Sequence, residues 1–252
     1  MTGTLLHLVL LIGVGVVAGV VSVVVSLASL VSYPALLAFG LPPVAANVSN
    51  TVALTFVGLG GTLGSRTELA GQRGTVMRLA GTSVLGGATG AALLLLAPGH
   101  TFELLAPWLI AGACVVLLVQ PRLQLQTRFR PRGVTPLTLF ALYAVAIYTG
   151  YFGAAGGVLT LVVLGSIIDA PLVRLNAIKT ALAGVGNGVA ALGFIAFGPV
   201  DWAVVVPLAI GFLVGGWIGP GVARRIPAQA LRRLISGSGL AVAIVLGWRA
   251  YR

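Results

Sequence analysis

Charge is what this chain of 252 residues has least of. Asp, Glu, Lys and Arg together make up 8% of it, only four residues are acidic, and there is a single lysine. Soluble domains carry about 25% charged residues, so the scarcity excludes a soluble globular fold. With 58% hydrophobic residues and a mean hydropathy of +1.10, the chain reads as an all-α polytopic membrane protein. Its apolar runs exceed the roughly 20 residues that cross about 30 Å of hydrocarbon. They repeat along the whole length with short loops, so one membrane domain is expected over residues 1–252. The first run has no basic segment before it, extends from about residue 5 to beyond residue 27 and has no small-residue cleavage site. It reads as a membrane helix, not as a cleaved signal peptide.

Other shortages narrow the function. One cysteine, Cys114, leaves no disulfide, and His7 and His100 have no second ligand at metal-binding spacing, so neither a metal nor another cofactor is expected. The acids Glu68, Glu103, Asp169 and Asp201 all fall at loops or helix ends. No paired carboxylate and no nucleophile beside a base is present, which argues against an enzyme. A net charge of +11 would suggest nucleic acid in a soluble protein. Here fourteen of the fifteen basic residues are arginines, mostly in loops or helix ends. Their partner is the lipid bilayer, in which they orient the chain, and no nucleic-acid partner is expected.

Residues 5–39 are too long for one crossing and are broken by Ser22, Ser26, Ser29 and Ser32 and then by Tyr33-Pro34, which predicts a helix followed by a broken or re-entrant piece. Backbone freed at such a break is tolerated where it is buried in protein or lines a cavity; single serines equally serve close helix packing. After the Leu41-Pro-Pro43 turn, helices are expected from residue 47, over 74–97 and over 105–119. Residues 120–136, with Arg122, Arg128, Arg130 and Arg132, are the longest polar segment and the boundary between a first repeat (5–119) and a second (137–250). The second begins with a run over 137–164 interrupted at Thr149-Gly-Tyr-Phe-Gly-Ala-Ala-Gly-Gly157. Then come the helix of Asn176, a loop at Gly198-Pro-Val-Asp201, a helix over 202–222, the Arg224-Arg225 loop and a last helix to about residue 248.

An offset of 129 carries Asn47 onto Asn176, Thr51 onto Thr180, Gly64 onto Gly193, Gly86-Gly87 onto Gly215-Gly216, Gly90 onto Gly219 and Pro98 onto Pro227. About eight crossings in two internal repeats with broken first helices are therefore expected, the general plan of secondary carriers.

The one lysine lies in Asn176-Ala-Ile-Lys179-Thr180-Ala-Leu-Ala-Gly-Val-Gly-Asn187. At 100° per residue, Asn176, Lys179, Thr180 and Asn187 fall at about 0°, 300°, 40° and 20°, one polar stripe. A charge near the bilayer centre costs at least about 2.5 to 3.5 kcal/mol and usually faces a cavity, a partner or a substrate path. The plain alternative is a lysine near a helix end that snorkels to the headgroups. Under the repeat, Asn50 falls on Lys179, so the face is polar in both halves but charged in one. The expected substrate-binding set is Lys179, Asn176, Thr180, Asn187, Asn47, Asn50 and Thr51 with Ser26, Ser29, Gly156 and Gly157 of the breaks, and its partner is a small anion. Asn47 and Asn176 are each expected near a helix amino terminus, whose partial positive charge attracts anions.

The chain resembles the sulfite exporter TauE/SafE family of small bacterial membrane proteins. The likeness lies in the two-fold repeat, in Gly150-Tyr-Phe-Gly-Ala-Ala-Gly-Gly157, in the approach from Pro171 to Thr180, and in Val200-Asp-Trp202 followed by Gly-x-x-x-Gly and Ala223-Arg-Arg-Ile-Pro-Ala228. In the first half Ser26-Leu-Ala-Ser29 replaces the glycine cluster. The resemblance implies export of sulfite or an organosulfonate-like anion across the bacterial cytoplasmic (inner) membrane. The alternative is a structural or assembly protein that carries nothing. With no carboxylate in the membrane to couple protons or sodium, an exporter can run on the membrane potential, which favours exit of one negative charge by roughly 2.3 kcal/mol per 100 mV. A homodimer is compatible with the sequence. An amino terminus inside would make the Arg66 to Arg73 loop, residues 122–132 and the Arg249 to Arg252 tail cytoplasmic, leaving Arg224, Arg225, Arg232 and Arg233 outside; an odd number of crossings per half would invert the repeats and change this assignment.

Overall fold

The computed structural model describes residues 2–127, 133–153, 156–223, 237 and 239–248, and these contain helices and no strands. The order is α1 (Thr2–Val25), α2 (Ala28–Ala38), α3 (Pro43–Gly64), α4 (Arg66–Leu69), α5 (Arg73–Leu96), α6 (Gly99–Thr127), α7 (Pro136–Tyr151), α8 (Gly156–Ile167), α9 (Leu172–Phe197), α10 (Trp202–Ala223) and α11 (Gly239–Trp248). Six of them (α1, α3, α5, α6, α9 and α10) are long and apolar enough to span a bilayer, while α2, α7, α8 and α11 are shorter apolar pieces. The chain is thus a polytopic membrane protein in which the α7–α8 pair and α11 complete the repeat pattern. Large side chains such as Leu5, Val9, Phe140, Leu192, Phe197 and Trp217 are exposed on its outside, as a lipid-facing surface requires.

The repeat extends to the conformation of single residues. Pro42 and Pro171, 129 apart, precede α3 and α9 at φ −58°, ψ 148° and φ −56°, ψ 145°. The Gly-Gly-x-x-Gly triplets do the same work twice. Gly86 and Gly90 lie against α7 and Gly87 against Gly186 of α9; Gly215 and Gly219 lie against α1 and Gly216 against Val57 and Gly61 of α3. In every case an added Cβ would run into the opposing helix, so the absent side chain is what lets the backbones meet. The first helix of each half accordingly packs on the third long helix of the other half, and α3 crosses α9 between them with Gly58 against Gly184.

These contacts also fix direction. Gly15, Gly19 and Val23 climb α1 beside Leu208, Gly215 and Gly219, and Gly60 and Gly64 climb α3 beside Leu213 and Pro220, so α1, α10 and α3 are parallel. Gly61 meets Thr180 while Gly198 meets Val48, so α9 is antiparallel to α3. Ala91 beside Gly193, and Gly86 and Gly90 beside Ala146 and Ile147, set α5 and α7 parallel to α9. Because α1 and α3 start at the same end, α2 must return to it, and Phe39, just beyond α2, stacks edge-on to His7 at 5.6 Å. Each half therefore makes an odd number of passes and the repeats are inverted.

Arg66, Arg73, Arg78 and Arg174 lie at or near helix starts at the end opposite to where α1 begins, so an amino terminus inside would not make the Arg66 to Arg73 loop cytoplasmic, contrary to the expectation from sequence. Described α10 ends there too, at Ala223. Arg128, Arg130, Arg132, Arg224, Arg225, Arg232, Arg233, Arg249 and Arg252 lie outside the described residues.

Three boundaries differ from expectation. Pro34 sits inside α2 and the break falls at Ser26-Leu27. Residues 99–104 and 120–127 join α6, because the polar residues placed in loops stand at the ends of a long helix. Helix α3 starts at Pro43, not Asn47, since proline suits the first helical position.

Candidate functional site

Ser26, just beyond α1, has φ +65° and is the one non-glycine described residue in left-handed backbone. Such a conformation costs roughly 1 to 2 kcal/mol. In the second half the turn after α7 is made by Gly153 at φ +78°, where glycine carries no such cost. The two turns meet: a Cβ on Gly153 would stand 3.4 Å from Ser29 Oγ, and one on Gly157 would stand 2.7 Å from Ser26 Cβ and 3.3 Å from Lys179 Cδ.

A helix that stops inside the bundle exposes its last carbonyls, and here asparagines cover them. Asn176 Nδ2 donates to the Val23 carbonyl at 2.8 Å, and Asn47 Nδ2 donates to the Tyr151 carbonyl at 2.9 Å. Each asparagine serves the broken helix of the opposite half. Both lie in the second turn of their helices, committed to backbone. They are thus not free donors at a helix start, as the sequence suggested. Thr51 and Thr180 donate to the carbonyls of Asn47 and Asn176 at 2.9 and 2.8 Å, again the same in both halves.

The halves part at the next position. Asn50, fully buried, donates to Ser29 Oγ at 3.1 Å and accepts from Ser32 Oγ at 2.6 Å, closing a neutral network within the first half. Lys179 instead reaches across, donating to Ser26 Oγ at 2.7 Å and to the Ser22 carbonyl at 3.3 Å. It is 3% exposed and points inward, which is not the arrangement of a snorkelling side chain. No carboxylate is bonded to it among the described residues; Glu103 and Asp201 stand near the end where α1 begins, and Glu68 and Asp169 near the opposite one.

Lys179 borders a cavity of about 40 Å³ with Ser22, Ser26, Thr149, Gly157, Thr180 and Asn187. Asn187 presents an Oδ1 with no hydrogen-bond partner. Of the expected residues, Lys179, Thr180, Asn187, Ser26 and Gly157 come together on this cavity. Asn176, Asn47, Asn50, Thr51 and Ser29 are buried or part-buried behind it in the bonds just given, and Gly156 sits against the Thr149 hydroxyl. Ser22, Thr149 and Gly58 also line the cavity and were not in the expected set. Thr149 begins the glycine stretch and Gly58 is the repeat partner of Asn187, so the signal for both was present. Both polar faces are buried, neither turned to the outer surface. A fixed ammonium beside hydroxyl donors in so small a space suits a small anion, while the unpartnered Asn187 Oδ1 is an acceptor that would take a hydrogen bond from water or a hydroxyl.

No solved structure matches this chain. It is 28% identical over 240 residues to a protein of a Sinorhizobium species named "Probable membrane transporter protein ORF9", with 91% of this chain and 88% of that protein aligned. It is 33% identical over 116 residues to a "Probable membrane transporter protein" of Xylella fastidiosa, covering 43% of this chain and 44% of that one. The family model described as sulfite exporter TauE/SafE matches residues 11–246, from α1 through the two broken helices and the lysine between them to α11. Fold, repeat and sequence agree, and the chain belongs to the sulfite exporter TauE/SafE family of membrane transporters.

Proposed function

We propose that the protein exports a small sulfur-containing anion, sulfite or an organosulfonate, across the bacterial cytoplasmic membrane, binding it at Lys179. The observation that carries this reading is a buried ammonium whose partners among the described residues are neutral, Ser26 Oγ and the Ser22 carbonyl. An uncompensated charge in the membrane interior is costly and marks a functional site by default. An anion supplies the missing counter-charge. The arginine-bearing helix ends share one side, which the positive-inside bias makes cytoplasmic, with the amino terminus outside. Transport down the membrane potential needs no acidic coupling group, in keeping with acids confined to the two ends of the bundle.

The test is uptake of radiolabelled sulfite and of a small sulfonate into proteoliposomes with an imposed potential, positive on the side the anion should reach. Saturable flux that rises with the potential and falls in Lys179→Gln supports the reading. Absence of flux for every anion tested, in folded and correctly inserted protein, overturns it.

A further inference from the structure

A second cavity of about 30 Å³ adjoins the lysine cavity and shares Thr149, Gly157 and Ala183 with it. Its remaining wall includes Ser83, Leu142, Thr160 and Leu182. Leu142 precedes Thr149 on α7, Thr160 follows Gly157 on α8, and Ser83 precedes Gly87 on α5. Each of these steps leads toward the arginine-bearing end. Beyond it, Leu142 and Leu182 join Leu79, Leu161, Leu164 and Ile178 in a separate apolar cluster that closes this side of the bundle.

The inverted repeat supplies an internal comparison. The asparagine bonds pair Tyr151 with Val23 across the breaks, so Thr149 falls on Val21 and Thr160 on Ser32, while the offset of 129 carries Ser83 onto Phe212. Val21 and Phe212 are buried, and Ser32 is bonded to the Ala28 carbonyl and Asn50 Oδ1, so the corresponding space in the other half is filled. The hydroxyls have a further property: Thr149 donates to the Val145 carbonyl and Thr160 to the Gly156 carbonyl, both at 2.8 Å. Their protons are committed, and the oxygens offer lone pairs that accept from water rather than hold an anion.

We propose that this second cavity is the hydrated route between the lysine site and the cytoplasm, with Thr149 as the constriction between the two cavities and the leucine cluster as its lid. The proposal rests on the anion-site reading for what travels the route. The route itself is a claim about access alone. Its asymmetry means that the anion reaches Lys179 from the arginine-bearing side through polar walls, while the path to the other side must form by displacing Phe212 or Val21 or by breaking the bonds of Ser32.

The experiment is cysteine accessibility in a Cys114→Ala background, using the small impermeant anion 2-sulfonatoethyl methanethiosulfonate on right-side-out and inverted vesicles. Thr67→Cys, exposed in α4, marks the arginine-bearing end in the same preparations. Thr160→Cys and Ser83→Cys should react at least about tenfold faster from the Thr67 side, and Val21→Cys and Ser32→Cys should stay unreactive from both sides until the protein is unfolded. Ser22→Cys, beyond the constriction, should react from the Thr67 side and slow at least about fivefold when Thr149→Leu is added, with Thr160→Cys unaffected. Equal or reversed sidedness of Thr160→Cys, or reaction of Ser32→Cys at a similar rate, overturns the route. An unchanged Ser22→Cys rate in Thr149→Leu overturns the constriction. Anion flux measured in parallel separates the two readings: the labelling pattern without flux fails only the transport reading, and flux without the pattern fails only the route.

Discussion

Asn176 on α9 holds the Val23 carbonyl of α1 at 2.8 Å across 153 positions of sequence. The equivalent bond, Asn47 to the Tyr151 carbonyl, ties α3 to α7. Each half thus completes the broken helix of the other, and the two breaks are kept in contact beneath Lys179.

Loss of either bond should therefore act on stability. Asn47→Ala and Asn176→Ala each leave a buried carbonyl unpaired and should cost about 1 to 3 kcal/mol, with interhelical bonds in membranes often nearer 0.6 kcal/mol. Unfolding in detergent by heat or denaturant should show similar losses for the two variants. A loss confined to one of them would contradict the symmetric role.

Replacing Lys179 should separate binding from folding. A charged hydrogen bond is worth about 1.5 to 3 kcal/mol, so Lys179→Gln should weaken apparent affinity by roughly 10- to 150-fold. Lys179→Arg should retain part of the flux, and Lys179→Glu should carry nothing. Lys179→Met should also abolish flux while leaving the protein at least as stable as before, because it removes a buried charge that no carboxylate among the described residues compensates. A Lys179→Met protein that unfolds more readily would point to a structural lysine.

Asn50 should give the opposite signature. Its amide satisfies Ser29 and Ser32 away from the cavity, so Asn50→Ala should lower stability by about 1 to 3 kcal/mol and leave the anion concentration at half-maximal flux within about twofold at equal amounts of folded protein.

Two glycines should likewise diverge. A methyl at Gly157 points at Ser26 and Lys179 in the cavity wall, whereas one at Gly58 meets the backbone of Gly184. Gly157→Val should block transport with modest loss of folded protein. Gly58→Ala should cost about 1 to 3 kcal/mol by overpacking, visible as a lower melting temperature in detergent.

The membrane orientation is open to a simple check. Thr67 and His100 are exposed at opposite ends of α5. In a Cys114→Ala background, Thr67→Cys should be labelled by an impermeant maleimide only in inverted vesicles, and His100→Cys only in intact cells with a permeable outer layer. The reverse pattern would place the arginines outside.

Composition and the offset of 129 were enough to establish a membrane bundle of two repeats, because apolar length and glycine spacing are local properties that any packing must respect. The same local rules singled out Lys179, since the only lysine on a helix of membrane length must find something polar. What they could not assign was the direction of its partners. Asn176 and Lys179 share one helical stripe, yet one closes a backbone break and the other borders a cavity, because their neighbours come from α1, more than 150 residues away. Asn50 and Lys179 occupy equivalent positions, and only the packing of Ser29 and Ser32 around the first made it a sealed network. The inversion of the repeats was likewise invisible in sequence, since an 11-residue helix that turns back and one that runs on have the same hydropathy. It was decided where glycine backbones of α1, α10, α3 and α9 meet.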